Sequence, residues 1–138
     1  MLAAGDTILL SGGLGSGKTH FARAVIQKRL MDAGRFEDAP SPTFTLVQTY
    51  DDGIAEIWHA DLYRLSDQRD ISEIGLHEAI DDTICLIEWP DRLAGGVPDA
   101  ALSMEFEMTE RAGERTVTCQ YTAKKWAQLF KVVGVCDG

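Results

Sequence analysis

Residues 7–19 read TILLSGGLGSGKT, which is the most informative part of the sequence. Its first part, Thr7–Ser11, is short, apolar and β-branched at two positions, which predicts a buried strand. From Thr19 to about Met31 apolar residues recur at helical spacing and Gly34 follows, which predicts an amphipathic helix. A glycine-rich loop between a strand and a helix is typical of a site that binds phosphate.

The loop from Gly12 to Thr19 is a complete P-loop pattern, GxxxxGK[ST]. Glycines adopt positive φ angles without a Cβ clash, so consecutive backbone N–H groups can turn toward an anion, and the helix N-terminus favours negative charge. Lys18 is predicted to contact the β- and γ-phosphates of a nucleotide, and the Thr19 hydroxyl to bind Mg²⁺. The loop residues predicted to bind the nucleotide are Gly12, Gly13, Leu14, Gly15, Ser16, Gly17, Lys18, Thr19 and His20.

A magnesium nucleotide site also needs an acid at the end of a neighbouring strand. Thr83–Glu88 is an apolar run that ends in a carboxylate, the pattern expected of a strand buried on both faces beside the P-loop strand. Glu88 is therefore the first candidate. Ile57–Asp61 also ends in an acid, but its broken apolar run indicates a strand exposed on one face. Asp61 is the second candidate, with an ordinary surface carboxylate as the alternative.

Further candidates carry weaker signals. Thr43 offers a hydroxyl on a loop after the first helix, where a switch segment of a nucleotide hydrolase often completes the magnesium site. Trp89, beside the first candidate acid, either covers the nucleotide or packs. His20, His59 and His77 share no metal-ligand spacing, so solvent-exposed or hydrogen-bonded structural roles are expected for them.

The rest of the sequence predicts an α/β fold, a single P-loop NTPase domain with a mixed parallel and antiparallel sheet flanked by helices. After the first helix, the sequence predicts a hairpin of Thr43–Tyr50 and Glu56–Tyr63. A helix is predicted from about Gln68 to Ile80, and its inward-facing residues are Ile71, Ile74, Ala79 and Ile80. A second hairpin of Leu102–Met108 and Arg115–Tyr121 and a short helix over Lys124–Val133 follow.

Composition narrows the class of protein. The chain has 138 residues, of which 45% are hydrophobic and 25% charged, as expected for one folded domain. Its 13 basic and 22 acidic residues give a net charge of −9, which is unfavourable for direct nucleic-acid binding. The three cysteines lack CxxC spacing and indicate neither a disulfide framework nor a zinc cluster. No signal peptide or membrane span is recognised, so a soluble protein is expected.

Four motifs, in order, resemble those of the TsaE (YjeE) family: the P-loop, SPTFTLV at 41–47, HADLYRL at 59–65 and LIEWP at 86–90. The resemblance extends from Gly5 through Pro90, while the C-terminal third matches only in its hairpin character. It implies a cytoplasmic bacterial ATPase that supports synthesis of threonylcarbamoyladenosine on tRNAs reading ANN codons. In that family the TsaD subunit paired with TsaB transfers the group, and the ATPase resets this TsaB–TsaD complex. Contact with tRNA is then only indirect, through the partners.

By position, the resemblance implies that Lys18 binds the phosphates and that Thr19 and Glu88 bind magnesium. It also implies a switch hydroxyl from Thr43 and, for Asp61, a polar role near the γ-phosphate or a partner. Trp89 is implied to lie close to the nucleotide. Three departures remove no ligand: Gly13 replaces the usual Asp, Ser16 replaces Ala, and His20 replaces a small hydroxyl residue. Family members generally have a further helix and strand upstream of the Gly-Asp pair, so the expectation is either a truncated or misassigned start or a sheet edge that is rebuilt in another way.

Three other functions compete with this interpretation. A small-molecule kinase would need an acceptor pocket and a lid, for which Arg111 and Arg115 are weak candidates. A regulatory GTPase would need an Asn- or Thr-Lys-x-Asp motif; the chain has no asparagine, and adenine is favoured. The third is a binding module that responds to nucleotide state with little turnover. Because no arginine finger is evident apart from Arg64, slow ATP hydrolysis is expected for the chain alone.

Overall fold

The computed structural model describes residues 2–13, 17–35, 47–63, 75–92, 98, 100–111, 115–121 and 126–127. In these residues the chain forms a six-stranded mixed sheet with helices, the α/β architecture predicted from the sequence. The elements in chain order are β1 (Thr7–Gly12), α1 (Lys18–Asp32), β2 (Val47–Asp51), β3 (Glu56–Asp61), α2 (Leu76–Ala79), β4 (Ile84–Glu88), a 3₁₀ turn (Pro90–Arg92), β5 (Leu102–Met108) and β6 (Arg115–Gln120).

The sheet has the strand order β2-β3-β4-β1-β5-β6. Strand β1 is parallel to both β4 and β5, and β3 is parallel to β4. The outer pairs, β2 with β3 and β5 with β6, are antiparallel hairpins, which confirms both predicted hairpins. Glu88 lies level with Leu10 on one side and Asp61 on the other. The carboxyl ends of β1, β3 and β4 therefore meet at one edge of the sheet.

Helix α1 covers one face of the sheet and begins and ends within one residue of the predicted bounds. Its buried apolar residues Ala22, Ile26 and Leu30 are four positions apart, so they form one stripe facing the strands. Gly34 adopts a φ of 74° after the helix end, and its N–H donates to the carbonyl of Met31 at 2.9 Å. This glycine ends the helix as predicted, because a positive φ is favourable for a residue without a Cβ.

A second apolar layer covers the opposite face and consists of Ala60, Leu62, Leu76, Ile80, Cys85 and Ile87. Strand β4 is buried along its whole length between the two layers, as predicted. The prediction that β3 is exposed on one face was wrong: Ile57, His59 and Ala60 are fully buried. Strand β3 lies between β2 and β4, and both layers cover it, so its polar residues do not mark a solvent-exposed face.

Several predicted elements fall partly outside the described residues. Of the predicted helix over 68–80, α2 and the residues after it are described, and Ala79 and Ile80 are buried as predicted. Ile71 and Ile74 lie outside the described residues, as do 43–46 and most of 124–133. Among the residues that are described, neither α1 nor α2 has the length and apolarity needed to cross a membrane.

Asp52 connects the β2–β3 hairpin to α1. One oxygen of its carboxylate accepts the N–H groups of Ile54 and Ala55 at 2.9 and 2.8 Å. The other oxygen accepts Nε and Nη2 of Arg29 on α1, both at 2.8 Å. Although burial raises the pKa of Asp52, these N–H donors and the Arg29 charge outweigh it and hold the pKa below its usual range. The turn thus depends on an ionised buried carboxylate.

Replacing Asp52 by alanine is expected to destabilise the fold by about 3 kcal/mol at pH 7, because it removes the acceptor of Nε and Nη2 of Arg29 and of two turn N–H groups. Denaturant unfolding of wild type and variant measures this change. Asp32→Ala is the control: Asp32 pairs with Lys28 on the same helix, but both side chains are mostly exposed, so the cost there should be about 0.5 kcal/mol or less. Equal losses in the two variants would contradict the account.

The contribution of Asp52 to the free energy of unfolding should also decrease when the pH is lowered. A carboxylate whose pKa is lower in the folded chain than in the unfolded chain stabilises the fold fully above the unfolded value of about 3.9. That stability is lost as the pH falls from about 4 through the lower folded pKa. The difference in unfolding free energy between wild type and Asp52→Ala should therefore shrink below about pH 4, and a difference that grows on acidification would contradict this assignment.

Candidate functional site

The site lies where β1 ends and α1 begins, beside the carboxyl ends of β3 and β4. Gly12 and Gly17 flank the loop with φ angles of 138° and 108°, which a side-chain Cβ would strain. Gly17 immediately precedes α1, a 15-residue helix with no acidic residue in its first turn. The unpaired N–H groups and dipole of this helix end therefore favour an anion.

The structure does not describe every predicted site residue. Leu14, Gly15, Ser16 and Thr43 lie outside the described residues. His20 is exposed on α1, one of the two structural roles expected for the histidines, and its contact with the nucleotide stays a prediction. The remaining candidates, Gly12, Gly13, Gly17, Lys18, Thr19, Asp61, Glu88 and Trp89, are at the ends of β1, β3 and β4 or at the start of α1.

Lys18 is held inside the loop. Its Nζ donates to the carbonyl oxygens of Gly12 at 2.6 Å and Gly13 at 2.8 Å, and only 4% of the residue is exposed. Burial lowers the pKa of Lys18, while the carboxylates of Glu88 and Asp61 oppose that shift. The side chain thus places a cation at the point where the glycine loop meets the two candidate acids.

Glu88 is engaged through both of its carboxylate oxygens and is only 2% exposed. Oε1 accepts the hydroxyl of Thr19 at 2.7 Å, and Oε2 lies 2.7 Å from Nε2 of His59, a fully buried residue. The candidate acid and the P-loop threonine, 69 positions apart in the chain, are therefore in direct contact. Two oxygen groups in contact form a donor set of the kind that Mg²⁺ prefers.

His59 belongs to this site, and the sequence interpretation did not include it there. The hydrogen-bonded role predicted as one alternative is present, but the prediction did not identify the partner, which is the candidate acid Glu88. The register of the strands is what places His59 near Glu88. Asp61 is level with Glu88, and His59 lies two residues earlier, on the same face of β3. That relation requires β3 and β4 to be neighbours, which local sequence patterns do not reveal.

Asp61 ends β3 with 7% of its surface exposed, so the alternative of an ordinary surface carboxylate was wrong. Its Oδ1 accepts the N–H of Tyr63 at 3.1 Å. Burial raises the pKa of Asp61, and the neighbouring Glu88 adds to this, against the opposing effects of Tyr63, His59 and Lys18. The site therefore contains two acids of different character, one bonded on both oxygens and one whose charged form is disfavoured.

Trp89 adopts a φ of 59°, a left-handed conformation that costs a residue with a side chain about 1–3 kcal/mol. Its N–H donates to the carbonyl of Leu10 at 3.1 Å, and its ring lies 4.8 Å from the ring of Tyr63, centroid to centroid. Nζ of Lys18 lies 4.2 Å from the Trp89 ring centroid, within range of a cation–π contact. The packing role predicted as one alternative is thus present, and its partners are a site lysine and a half-exposed tyrosine.

The donor groups fit a magnesium ion that arrives with a nucleotide. In the described part of the chain, no group of three or more His, Cys, Asp or Glu side chains could hold a metal ion. Mg²⁺ differs from metals held in such clusters, since it is commonly bound through one or two protein oxygens, waters and substrate phosphates. The Thr19 hydroxyl and Glu88 carboxylate provide those protein oxygens beside a loop suited to phosphate.

Comparisons with known proteins show which proteins this chain is similar to. The family described as threonylcarbamoyl adenosine biosynthesis protein TsaE matches residues 1–117. A tRNA threonylcarbamoyladenosine biosynthesis protein TsaE from Treponema pallidum is 33% identical over 119 residues, covering 86% of this chain and 84% of that protein. The protein of the same name from Bacillus subtilis is 31% identical over 128 residues, 91% of this chain and 75% of that protein.

Coverage is smaller for some relatives. The Rickettsia felis TsaE protein is 43% identical over 86 residues, and the match spans 62% of this chain but 48%, about half, of that protein. Among solved structures, the crystal structure of Bacillus subtilis YdiB superposes with a TM-score of 0.69 at 26% identity, covering 97% of this chain and 80% of that one. The fold of the described residues is thus that of a solved structure.

Proposed function

This chain belongs to the TsaE family, and we propose that it binds ATP with Mg²⁺ and acts as a weak, partner-activated ATPase. In this proposal it supports threonylcarbamoyladenosine modification of tRNAs reading ANN codons, in the cytoplasm, by resetting a TsaB–TsaD complex. The observation that carries the proposal is the meeting of Lys18, Thr19 and Glu88 at one edge of the sheet, next to the N-terminus of α1.

The proposed roles follow from the chemistry of each side chain. Lys18 donates to the β- and γ-phosphates, and the N–H groups at the start of α1 bind phosphate oxygens. Thr19 and Glu88 would hold the magnesium ion, and Thr43 is proposed to complete its site. When bound, Mg²⁺ supplies charge neutralisation at the β- and γ-phosphate oxygens. Asp61 is proposed to contact the γ-phosphate region or a partner.

Slow hydrolysis by the chain alone is part of the proposal. A guanidinium placed on the transferred phosphate can accelerate hydrolysis by about 10³–10⁵-fold. Arg29 is bound to Asp52, and Arg35 donates to the carbonyl of Asp51, so both are engaged at the β2–β3 hairpin. Arg64 lies outside the described residues. We propose that contact with the partner proteins completes the catalytic arrangement.

The net charge of the chain favours indirect contact with tRNA over direct binding. Its net charge of −9 opposes direct binding to phosphate-rich RNA. An acidic ATPase attached to partners that bind the tRNA avoids this conflict. We therefore propose that contact with tRNA is indirect, through TsaB and TsaD.

The proposal is tested by measuring ATP hydrolysis by the chain alone and with the TsaB and TsaD proteins of the same organism, at matched magnesium. The pair is expected to raise the turnover rate at least about tenfold, a modest fraction of the gain available from a completed site. A fast rate in the chain alone, unchanged by the partners, would contradict the proposal. If ATP tightens partner binding without any rise in turnover, the chain is instead a nucleotide-dependent binding module.

A further inference from the structure

We propose that His59 is a positioning residue that fixes the carboxylate of Glu88 so that its other oxygen faces Thr19. The inference rests on the proposed function, because its consequence is a correctly oriented protein oxygen for Mg²⁺. It adds a positioning side chain to the three, Thr19, Glu88 and Thr43, from which the magnesium site would be built.

The contacts of Glu88 show how the orientation is fixed. The terminal torsion of a glutamate side chain has broad minima, so a carboxylate held at one oxygen can still rotate. Here Oε1 accepts from Thr19 and Oε2 contacts His59, each at 2.7 Å. Contacts at both oxygens fix the plane of the carboxylate. Because β3 and β4 are paired in register, the histidine that makes the second contact is itself attached to the rigid part of the sheet.

The surroundings of His59 favour a functional role over a packing role. Glu88 serves as a magnesium ligand in its ionised form, whose oxygens only accept hydrogen bonds, so in that form Nε2 of His59 is the donor of this pair. Its other nitrogen, Nδ1, is buried and has no hydrogen-bond partner among the described residues. Burying a polar ring with one nitrogen unsatisfied costs stability that an apolar side chain would not cost. Among the described residues, the one polar contact of the ring is with the candidate magnesium ligand.

The test uses three single substitutions in the full chain. His59→Leu removes the donor while keeping a buried side chain of moderate size. His59→Gln retains an N–H₂ donor at about the position of Nε2, so it should rescue the contact. Thr83→Val is the matched control, since it removes a buried hydrogen bond from Thr83 to the carbonyl of Ala79 at the opposite end of β4. Circular dichroism and thermal unfolding establish that each variant is folded.

The readout is binding of a fluorescent ATP analogue, measured first with EDTA and then during a titration with Mg²⁺. Magnesium is expected to raise the affinity for the analogue, and the magnesium concentration that gives half of this increase is the quantity compared. In His59→Leu this concentration should rise about tenfold or more, as is typical when a group that orients a metal ligand is lost. His59→Gln should stay within about threefold of wild type, and Thr83→Val should match wild type. Affinity in EDTA should be the same in all four proteins.

Each other result overturns the inference. A normal magnesium response in His59→Leu would do so, and so would an equal loss of affinity with and without magnesium, which is the effect of a merely structural residue. If His59→Leu does not fold, His59→Asn takes its place, because its shorter amide does not reach Glu88. A wild type that binds the analogue with no response to magnesium overturns the proposed function as well, so the two failures are distinguishable.

Discussion

Replacing Lys18 by alanine is expected to weaken ATP binding by about 100-fold. The ammonium group is buried at the mouth of the glycine loop, where it donates to the carbonyls of Gly12 and Gly13. In the proposed complex it donates to two phosphates, and each hydrogen bond between charged groups contributes about 1.5–3 kcal/mol. A loss of about 3 kcal/mol corresponds to about 100-fold in affinity. Calorimetric titration with ATP and Mg²⁺ measures the change.

The matched control for this prediction is Lys28→Ala. Lys28 lies on the same helix, but its side chain is 76% exposed and pairs with Asp32 on the helix surface. Removing it deletes the same charge from α1 without touching the loop, so ATP affinity should stay within about twofold of wild type. If the two lysine variants lose affinity equally, the effect comes from net charge rather than from a phosphate contact, and the assignment of Lys18 is wrong.

At saturating magnesium, replacing Glu88 by glutamine is expected to lower ATP turnover about 100-fold while ATP affinity changes no more than about threefold. The amide keeps the size of the side chain but removes the negative charge that faces Thr19 and the proposed magnesium ion. A group that orients a metal or a reacting water commonly contributes 10²-fold or more to a rate, about 3 kcal/mol. Single-turnover hydrolysis in the presence of TsaB and TsaD measures the effect at the chemical step.

Slow turnover with intact binding has a second consequence for Glu88→Gln. If hydrolysis releases the partners, the variant should remain bound to the TsaB–TsaD complex in ATP for longer than wild type. Glu105→Gln is the control, because Glu105 is an exposed carboxylate on β5 of the same sheet. Unchanged turnover in Glu88→Gln, or a loss of ATP binding as large as its loss of turnover, would contradict the role assigned to Glu88.

Local patterns in the sequence predict much of this fold. The strand, loop and helix from Thr7 to Asp32 follow from an apolar run, a glycine cluster and a helical apolar period that are contiguous in the chain. The burial of β4 follows from its unbroken apolar run, and both hairpins follow from alternating residues around turn sequences. In each case the residues that form the element are also the residues that signal it.

The parts that could not be predicted depend on which strands are neighbours. The run that forms β3 contains a histidine and ends in an aspartate, which is typical of a strand with a solvent-exposed face. In the folded chain these polar groups are buried because β3 lies between β2 and β4, and His59 contacts Glu88 on the adjacent strand. The contact between Lys18 and the Trp89 ring likewise joins residues distant in sequence, and it requires a left-handed turn after β4.

In the proposed function, the loop between β1 and α1 forms one magnesium–nucleotide site together with the end of β4. A crystal structure of the full chain with Mg²⁺ and a non-hydrolysable ATP analogue tests it most directly. The account predicts the triphosphate against the start of α1 within reach of Nζ of Lys18, with the metal ion beside Thr19 and Glu88. A nucleotide bound elsewhere on the chain, or no nucleotide at saturating concentration, would contradict it.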